Sequence, residues 1–393
     1  MRVPLLDLKR QHALVRADVS AKVDALFESQ QFILGPAVEE LERDFANSIG
    51  VEFAIGMSSG TDAQLAILMA LGIGPGDAVI TTPYTFFATA GCIHRLGAEP
   101  VFVDVENDTL HLDPAALQSY LSGCPTDSEG IPLSRRGNRI RAVIPIHLFG
   151  ACCRMDEIAG IARAFRLAVT EDAAQAVGAT YEGRRGILQA GTISDSAWFS
   201  FFPTKNLGGA GDGGMAVCRD AAFADQLRLI RNHGMEKRYI HRQVGGNFRL
   251  DGLQAAVIHA KLPYLAQWNS ARRRNAGFYR EAFLGEGLRD FIVPPLAPPA
   301  GMESGHIYHQ YVIRALDRDG LMEHLQREQI GCAIYYSVPL HLQECFSHLG
   351  YRVGDLPVAE KAARESLALP IFPELETSEL EAVVAAISGF YAK

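Results

Sequence analysis

Apolar residues recur three and four positions apart through QHALVRADVSAKVDALFES (11–29), the spacing that gives a helix one buried stripe. Gly35-Pro36 breaks that pattern. A second stripe runs through AVEELERDFANSIG (37–50) and stops on a glycine, which tolerates the left-handed backbone of a helix end. The period then changes. EFAIGM (52–57) reads as a strand, TDAQLAILMALG (61–72) as a helix closed by Gly72, and DAVITTP (77–83) as a strand after the turn GIGPGD. FFATAGCIHRLG (86–97) is a helix and EPVFVDV (99–105) a strand, and RAVIPIHLFG (141–150), LAVTEDA (167–173) and SAWFSFF (196–202) continue the series. Strands separated by single helices require right-handed crossovers, and so a mainly parallel sheet with helices on both faces. GCPTDSEGIPLSRRGNR (123–139), polar and rich in Gly, Pro and Ser, is a surface loop within the series.

After GMAVC (214–218), itself a strand, the helical period returns at 221–233 and 250–285, interrupted at Pro263. The chain restarts near 286, past which lies VPPLAPPAG (293–301). HQYVIRA (309–315) and CAIYY (332–336) read as strands; LMEHLQREQ (321–329), VAEKAARESLA (358–368) and SELEAVVAAISGF (378–390) read as helices. The expectation is an α/β protein with a large domain over 1–265, the N-terminal helices included, and a smaller C-terminal α+β domain over 266–393. The boundary falls at 265–290. A chain of 393 residues is too long for one small core.

Composition narrows the classes of function. A net charge of -8 argues against nucleic acid, whose phosphates need a basic face, but allows a small anionic substrate in a locally positive pocket. The seven cysteines form no Cys-x-x-Cys pair and show no zinc spacing, so reduced thiols are expected and no metal. MRVPLLDLKRQH is too charged for a signal peptide, and no apolar run reaches membrane length. A cytoplasmic protein with no membrane partner is expected.

Two general patterns occur. Gly56-Met57-Ser58-Ser59-Gly60 fits the G-x-S-x-G nucleophile elbow between a strand and a helix, with Ser58 as nucleophile. Only helices precede it and no oxyanion segment is in view, so a hydrolase is the minority reading. Gly209-Ala210-Gly211-Asp212-Gly213-Gly214 fits G-x-G-x-x-G, but a strand follows where a dinucleotide site needs a helix, and a turn is the better reading.

The other candidates sit at strand ends. Ser59-Gly60-Thr61 precedes a helix, where free N–H groups and the helix dipole make either a phosphate site or a plain N-cap. Asp172 follows the apolar LAVT, at the carboxyl end of a strand where open α/β sheets bind ligands; it is a counter-charge for a cationic ring nitrogen or a helix cap. Lys205, in FSFFPTKNLGG, follows an apolar strand among aromatics, prolines and glycines. Desolvation there would lower its pKa and make it nucleophilic, whereas most lysines extend to the surface. Singly, Asp172 and Lys205 favour the plain readings, and the Ser59 turn is evenly balanced between the two. Together they supply a lysine, a carboxylate, a phosphate cradle (Ser59-Gly60-Thr61 with Ser200) and an aromatic stacker (Phe86), which is what pyridoxal 5'-phosphate (PLP) requires.

With those residues in place, the chain resembles the DegT/StrS family of PLP-dependent nucleotide-sugar aminotransferases, which have the type I aminotransferase fold. The resemblance runs from about residue 4 to 385 through FILGPAVEELERDFA, SSGTDA, GIGPGDAVITTPYTFFATA, IPIHLFG, EDAAQAVGA, FSFFPTKNLGGAGDGG, GGNFRLDGLQAAV and VPLHLQ. It implies that Lys205 holds the cofactor as a Schiff base and Asp172 pairs with the pyridine nitrogen. Gln175 touches the ring hydroxyl, Phe86 stacks on the ring, and Gly60, Thr61 and Ser200 hold the phosphate. Asn247 reaches the phosphate of the neighbouring subunit, so a homodimer follows. The family's His-Tyr-Pro is replaced by Tyr335-Tyr336-Ser337, beside the substrate, where Tyr335 and His341 are candidate contacts. The resemblance implies ping-pong transfer of an amino group from L-glutamate, through pyridoxamine 5'-phosphate, to a keto group of a nucleotide-linked deoxy sugar, with Lys205 moving the proton. The alternatives are a sugar dehydratase of the same fold, in which histidine replaces the lysine, and a non-catalytic regulatory protein.

Overall fold

The computed structural model describes residues 1–285 and 287–392; residue 286, where the restart of the chain was placed, lies outside them. Asp7 accepts from the Lys9 and Arg10 amides and so caps α1 (Leu8–Ser29). Pro36 begins α2 (Pro36–Ile49), and Gly50 ends it at φ 76°. Then β1 (Phe53–Met57), α3 (Gly60–Ala70), β2 (Asp77–Thr81), α4 (Ala88–Arg95), β3 (Glu99–Phe102), α5 (Pro114–Ser122), β4 (Arg139–Val143), α6 (Met155–Ala164) and β5 (Ala168–Asp172) alternate as the pattern requires. The hairpin β6 (Thr180–Gly183) and β7 (Gly186–Gln189), which the pattern did not announce, precedes β8 (Ser196–Ser200) and β9 (Gly214–Cys218).

The central sheet has seven strands in the order β1-β9-β8-β5-β4-β2-β3. The run from β8 to β3 is parallel; β9 lies antiparallel to both β8 and β1. The glycine run 209–214 is the link that turns β8 back into β9, which is why a strand follows it. Each face of the sheet has its own core. One gathers Ile55, Leu68, Val79, Ile144 and Trp198, the other Leu41, Phe45, Phe199, Val217 and Ile258. Covered on both faces, the sheet opens its functional face only at the strand ends.

Next come α7 (Ala221–Arg231), a small hairpin of β10 (Met235–Lys237) and β11 (Ile240–His241), α8 (Gly252–Lys261) and α9 (Leu265–Gly285). Pro263 sits in a 3-10 turn between α8 and α9. The C-terminal part pairs β12 (Ile292–Val293), β13 (Tyr311–Ala315) and β14 (Ser366–Leu369) antiparallel, with α10 (Arg318–Arg327), α11 (Pro357–Glu365) and α12 (Thr377–Tyr391). Its core joins Tyr279 and Phe283 of α9 to Tyr311, Leu367 and Val383. Val3 belongs to the same core and bridges Ile330, so the first residues pack with the last third of the chain.

Two expectations need correction here. CAIYY is not a strand. It touches the small sheet through the single bridge Ala333–Ala368, and Tyr336 turns to φ 62°, which ends an extended run. The third strand is Ser366–Leu369, which the helical stripe of VAEKAARESLA had absorbed. α11 ends at Glu365, and the four residues after it are all buried, so helical period could not distinguish them. The polar loop 123–139 folds back along the outer strand β3. There Glu99 accepts from Ser134 Oγ and Asn138 Nδ2, both at 2.6 Å.

Candidate active site

β5 delivers two acidic residues to opposite sides of the sheet, as successive strand residues must be. Glu171 faces inward. Its fully buried carboxylate accepts from His147 Nε2 (2.9 Å), the amides of Gly191, Ile193 and Ser194, and Ser194 Oγ. Burial opposes its ionisation, but His147 and the backbone donors outweigh burial and hold the carboxyl below its usual range. His147 Nδ1 accepts from the Cys153 amide, so Nε2 carries the proton and donates it to Glu171.

Asp172 ends the strand with its backbone fixed on both sides, its N–H to Pro145 and its carbonyl to the His147 N–H. Its carboxylate accepts from Thr89 Oγ1 (2.8 Å) and from the Ala174 amide (3.1 Å). Burial raises its pKa, and Thr89, Ala174 and the Lys205 charge pull against that rise. The side chain is 7% exposed, a carboxylate with two donors and lone pairs to spare.

Lys205 stands in the turn after β8. Burial lowers its pKa from 10.5 to about 8, against the attraction of Asp172. The turn is anchored by its neighbour. Asn206 donates to Asn269 of α9 (2.8 Å) and accepts from His309 Nδ1 (3.0 Å), and Asn269 in turn donates to the Val177 carbonyl. Gly208 gives its carbonyl to Lys261 Nζ (2.7 Å), and a Cβ at Gly208 would lie 2.3 Å from the Pro203 carbonyl oxygen. The peptide carrying Lys205 is thus held by α8, by α9 and by His309, just before β13.

The start of α3 lies against the end of β8. Ser59 caps the helix by accepting from the Asp62 amide (3.0 Å), which leaves the Gly60 and Thr61 amides at the open end, where the helix cannot bond them. A Cβ at Gly60 would come 2.8 Å from Ser200 Cβ, and one at Gly214 would come 2.4 Å from the Ser59 backbone. The first residue of α3, Gly60, therefore lies directly against Ser200. Ser58 hydrogen-bonds through its hydroxyl to Asp62 (2.6 Å), and among the described residues no histidine bonds it, so the nucleophile-elbow reading fails.

Gln175 follows Asp172 by three residues. Its Oε1 accepts from the Phe149 amide (2.7 Å) and its Nε2 donates to Tyr336 Oη (2.9 Å). Phe86 is 61% exposed, its ring uncovered, while Phe87 beside it stacks on Phe346. Asn247 is exposed, its backbone paired with Asn232, and its side chain bonds no other described residue. Tyr335, one of the two candidate substrate contacts, gives its carbonyl to Tyr84 Oη, and its neighbour Tyr336 reaches Gln175. The other, the buried His341, bonds Glu360 (3.2 Å) and packs edge-on against Tyr351. Sequence reasoning missed Thr89, His147 and Tyr336. Thr89 lay inside the quoted FFATAG, but nothing local marks it as a partner of residue 172.

The arrangement fits PLP on its own terms. A glycine-bounded helix start suits a phosphate, a buried carboxylate suits a cationic ring nitrogen, and a depressed amine suits an aldehyde. Among the described residues no cluster of ligands could hold a metal ion, and no helix is long and apolar enough to cross a membrane.

The profile of the DegT/DnrJ/EryC1/StrS aminotransferase family matches residues 14–388. The pleiotropic regulatory protein of Geobacillus stearothermophilus is 43% identical over 391 residues, which cover 100% of this chain and 99% of that one. The UDP-N-acetyl-3-dehydro-alpha-D-glucosamine 3-aminotransferase of Acidithiobacillus ferrooxidans is 39% identical over 98% of this chain and 97% of its own. Among solved structures, DesV of Streptomyces venezuelae, in complex with a ketimine intermediate, superposes with a TM-score of 0.90 at 36% identity and covers 100% of this chain and 99% of its own.

Proposed function

The chain belongs to the DegT/DnrJ/EryC1/StrS aminotransferase family and is a PLP-dependent transaminase, and we propose that it moves an amino group from L-glutamate to a keto group of a nucleotide-linked deoxy sugar. The observation that carries this reading is the half-buried Lys205, its pKa lowered to about 8, facing the buried Asp172 at the end of β5. Bound there, PLP supplies an electrophilic aldehyde and a ring that accepts electrons. Lys205 Nζ is the amine for that aldehyde and, once released, takes the α-proton of the amino donor and later returns it. Asp172 keeps a proton on the ring nitrogen by charge, held in place by Thr89 and Ala174. Gly60, Thr61 and Ser200 hold the phosphate through backbone and hydroxyl donors, Phe86 covers the ring, and Gln175 meets its hydroxyl.

We propose further that the enzyme is a homodimer whose Asn247 completes the partner's phosphate site. Tyr239, Ile240 and Val244, near Asn247 in the chain, are 78%, 56% and 84% exposed, an apolar surface that a second copy would cover. Nothing in the charge or hydropathy opposes a cytoplasmic enzyme without nucleic acid or membrane partners.

The test is reduction of the purified, PLP-loaded protein with borohydride followed by peptide mapping. A pyridoxyl tag on the peptide carrying Lys205 is expected, and its absence overturns the assignment. L-Glutamate should bleach the visible band of the unreduced protein. The name of the 43% identical relative favours a second reading, a regulatory protein on this fold. A coloured protein inert to every amino acid would select it, whereas the intact Lys205, Asp172 and cradle favour catalysis. The dehydratase alternative calls for histidine in place of Lys205.

A further inference from the structure

Gln175 brings a side-chain amide to the site, and an amide has two faces of opposite character. Which one meets the cofactor depends on what holds it. On one side stands the Phe149 N–H, which can only donate, 2.7 Å from Oε1. On the other stands Tyr336 Oη, 2.9 Å from Nε2. Phe149 alone orients the oxygen; Tyr336 takes up one of the two N–H groups and leaves one free. The tyrosine is itself tightly set. It lies at φ 62°, its ring stacked on Phe149 (6.2 Å, 11°) and met edge-on by Tyr84 (5.6 Å, 87°). It also arrives from a segment 161 residues further on in the chain.

We propose that Tyr336 is a positioning residue: its hydroxyl fixes the Gln175 amide so that the second N–H of Nε2 donates to the cofactor's ring oxygen. This rests on the PLP reading above. A donor on that oxygen draws negative charge from it. The oxygen then accepts less well from the protonated nitrogen that joins Lys205 to the cofactor, and that nitrogen loses its proton at lower pH. Tyr336 therefore acts on the proton affinity of the Lys205 linkage through Gln175, without touching the cofactor.

The test is a pH titration of the visible absorbance of PLP-loaded wild type, Tyr336→Phe, Gln175→Ala and the double variant. Phenylalanine keeps the stacked ring and removes only the oxygen. The titration midpoint of Tyr336→Phe should rise by about 0.5 to 1 pH unit, the size of one net hydrogen bond. In the Gln175→Ala background the same change should do nothing, the signature of action through the amide. An unmoved midpoint in Tyr336→Phe overturns the proposal. So does an equal shift with Gln175 absent, which would make Tyr336 a direct donor. A wild type in which borohydride fixes no pyridoxyl tag on the Lys205 peptide would instead overturn the PLP assignment, so the two failures are distinct. Melting curves of the four apoproteins separate misfolding from a moved midpoint.

Discussion

At the scale of one residue, the chemistry is set by what burial does to two charges. Lys205 falls from 10.5 to about 8, which leaves about a tenth of it as free amine at pH 7 instead of a few parts in ten thousand. The shift also has a consequence for stability. A lysine whose pKa is lower in the folded state costs stability below that pKa, and the cost disappears above its unfolded value. Without cofactor, Lys205→Met should therefore be more stable than wild type by about 1–2 kcal/mol at pH 7, a figure reduced for water reaching a half-buried amine. The gain should shrink as pH rises from 8 to 10.5, which urea melts across that range would read. Asp172 moves the other way, raised by burial. On the proposed role of Asp172 as counter-charge to the ring nitrogen, Asp172→Asn should retain cofactor but slow proton transfer about a hundredfold or more. Stopped-flow bleaching by L-glutamate measures it; an unchanged rate would mean that another group holds the ring nitrogen.

At the scale of elements, the site exists because α3 begins hard against the end of β8. Gly60→Ala would drive a methyl to 2.8 Å from Ser200 Cβ, on a strand end that cannot swing aside. Overpacking of this kind costs about 1–3 kcal/mol. Because the methyl would separate the helix start from Ser200, PLP affinity should fall about tenfold or more, read by equilibrium titration of the apoprotein. Gly160→Ala is the control: it lies inside α6 with open space around its Cβ, and should hold or raise stability by a few tenths of a kcal/mol. The same geometry explains what the sequence could disclose. β2, β5, β8 and β9 are apolar runs between glycine, proline or polar turns, so their ends, and with them Asp172 and Lys205, could be placed by counting. The partners of those residues could not. Thr89 meets Asp172 across 83 residues of chain and Tyr336 meets Gln175 across 161, and no local period encodes such a meeting. β14 was hidden for a different reason, since four buried residues after a helix look like its last turn.

At the scale of the whole molecule, the chain closes on itself and then leaves a surface open. Arg10 of α1 forms a two-pronged ion pair with Glu379 of α12 (2.7 and 2.8 Å), and Val3 lies in the C-terminal core, so the two ends of the sequence are locked together. The open surface is the hairpin and the segment after it, where Tyr239, Ile240 and Val244 project and the Asn247 side chain bonds no other described residue. If Asn247 serves the partner's cradle, each site draws Lys205 from one subunit and Asn247 from the other. Lys205→Ala and Asn247→Asp would then each be inactive alone, the first lacking the amine and the second setting a carboxylate against a phosphate. Mixed after dissociation and reassembly, half the dimers would carry one of each. In those dimers one site pairs an intact Lys205 with an intact Asn247, while the other loses both, so about a quarter of wild-type activity should return from two inactive proteins. Light scattering on the mixture gives the mass of the species responsible. Recovery can arise only if the two residues meet across subunits; a mixture of reassembled dimers that stays inactive would place Asn247 outside the partner's site.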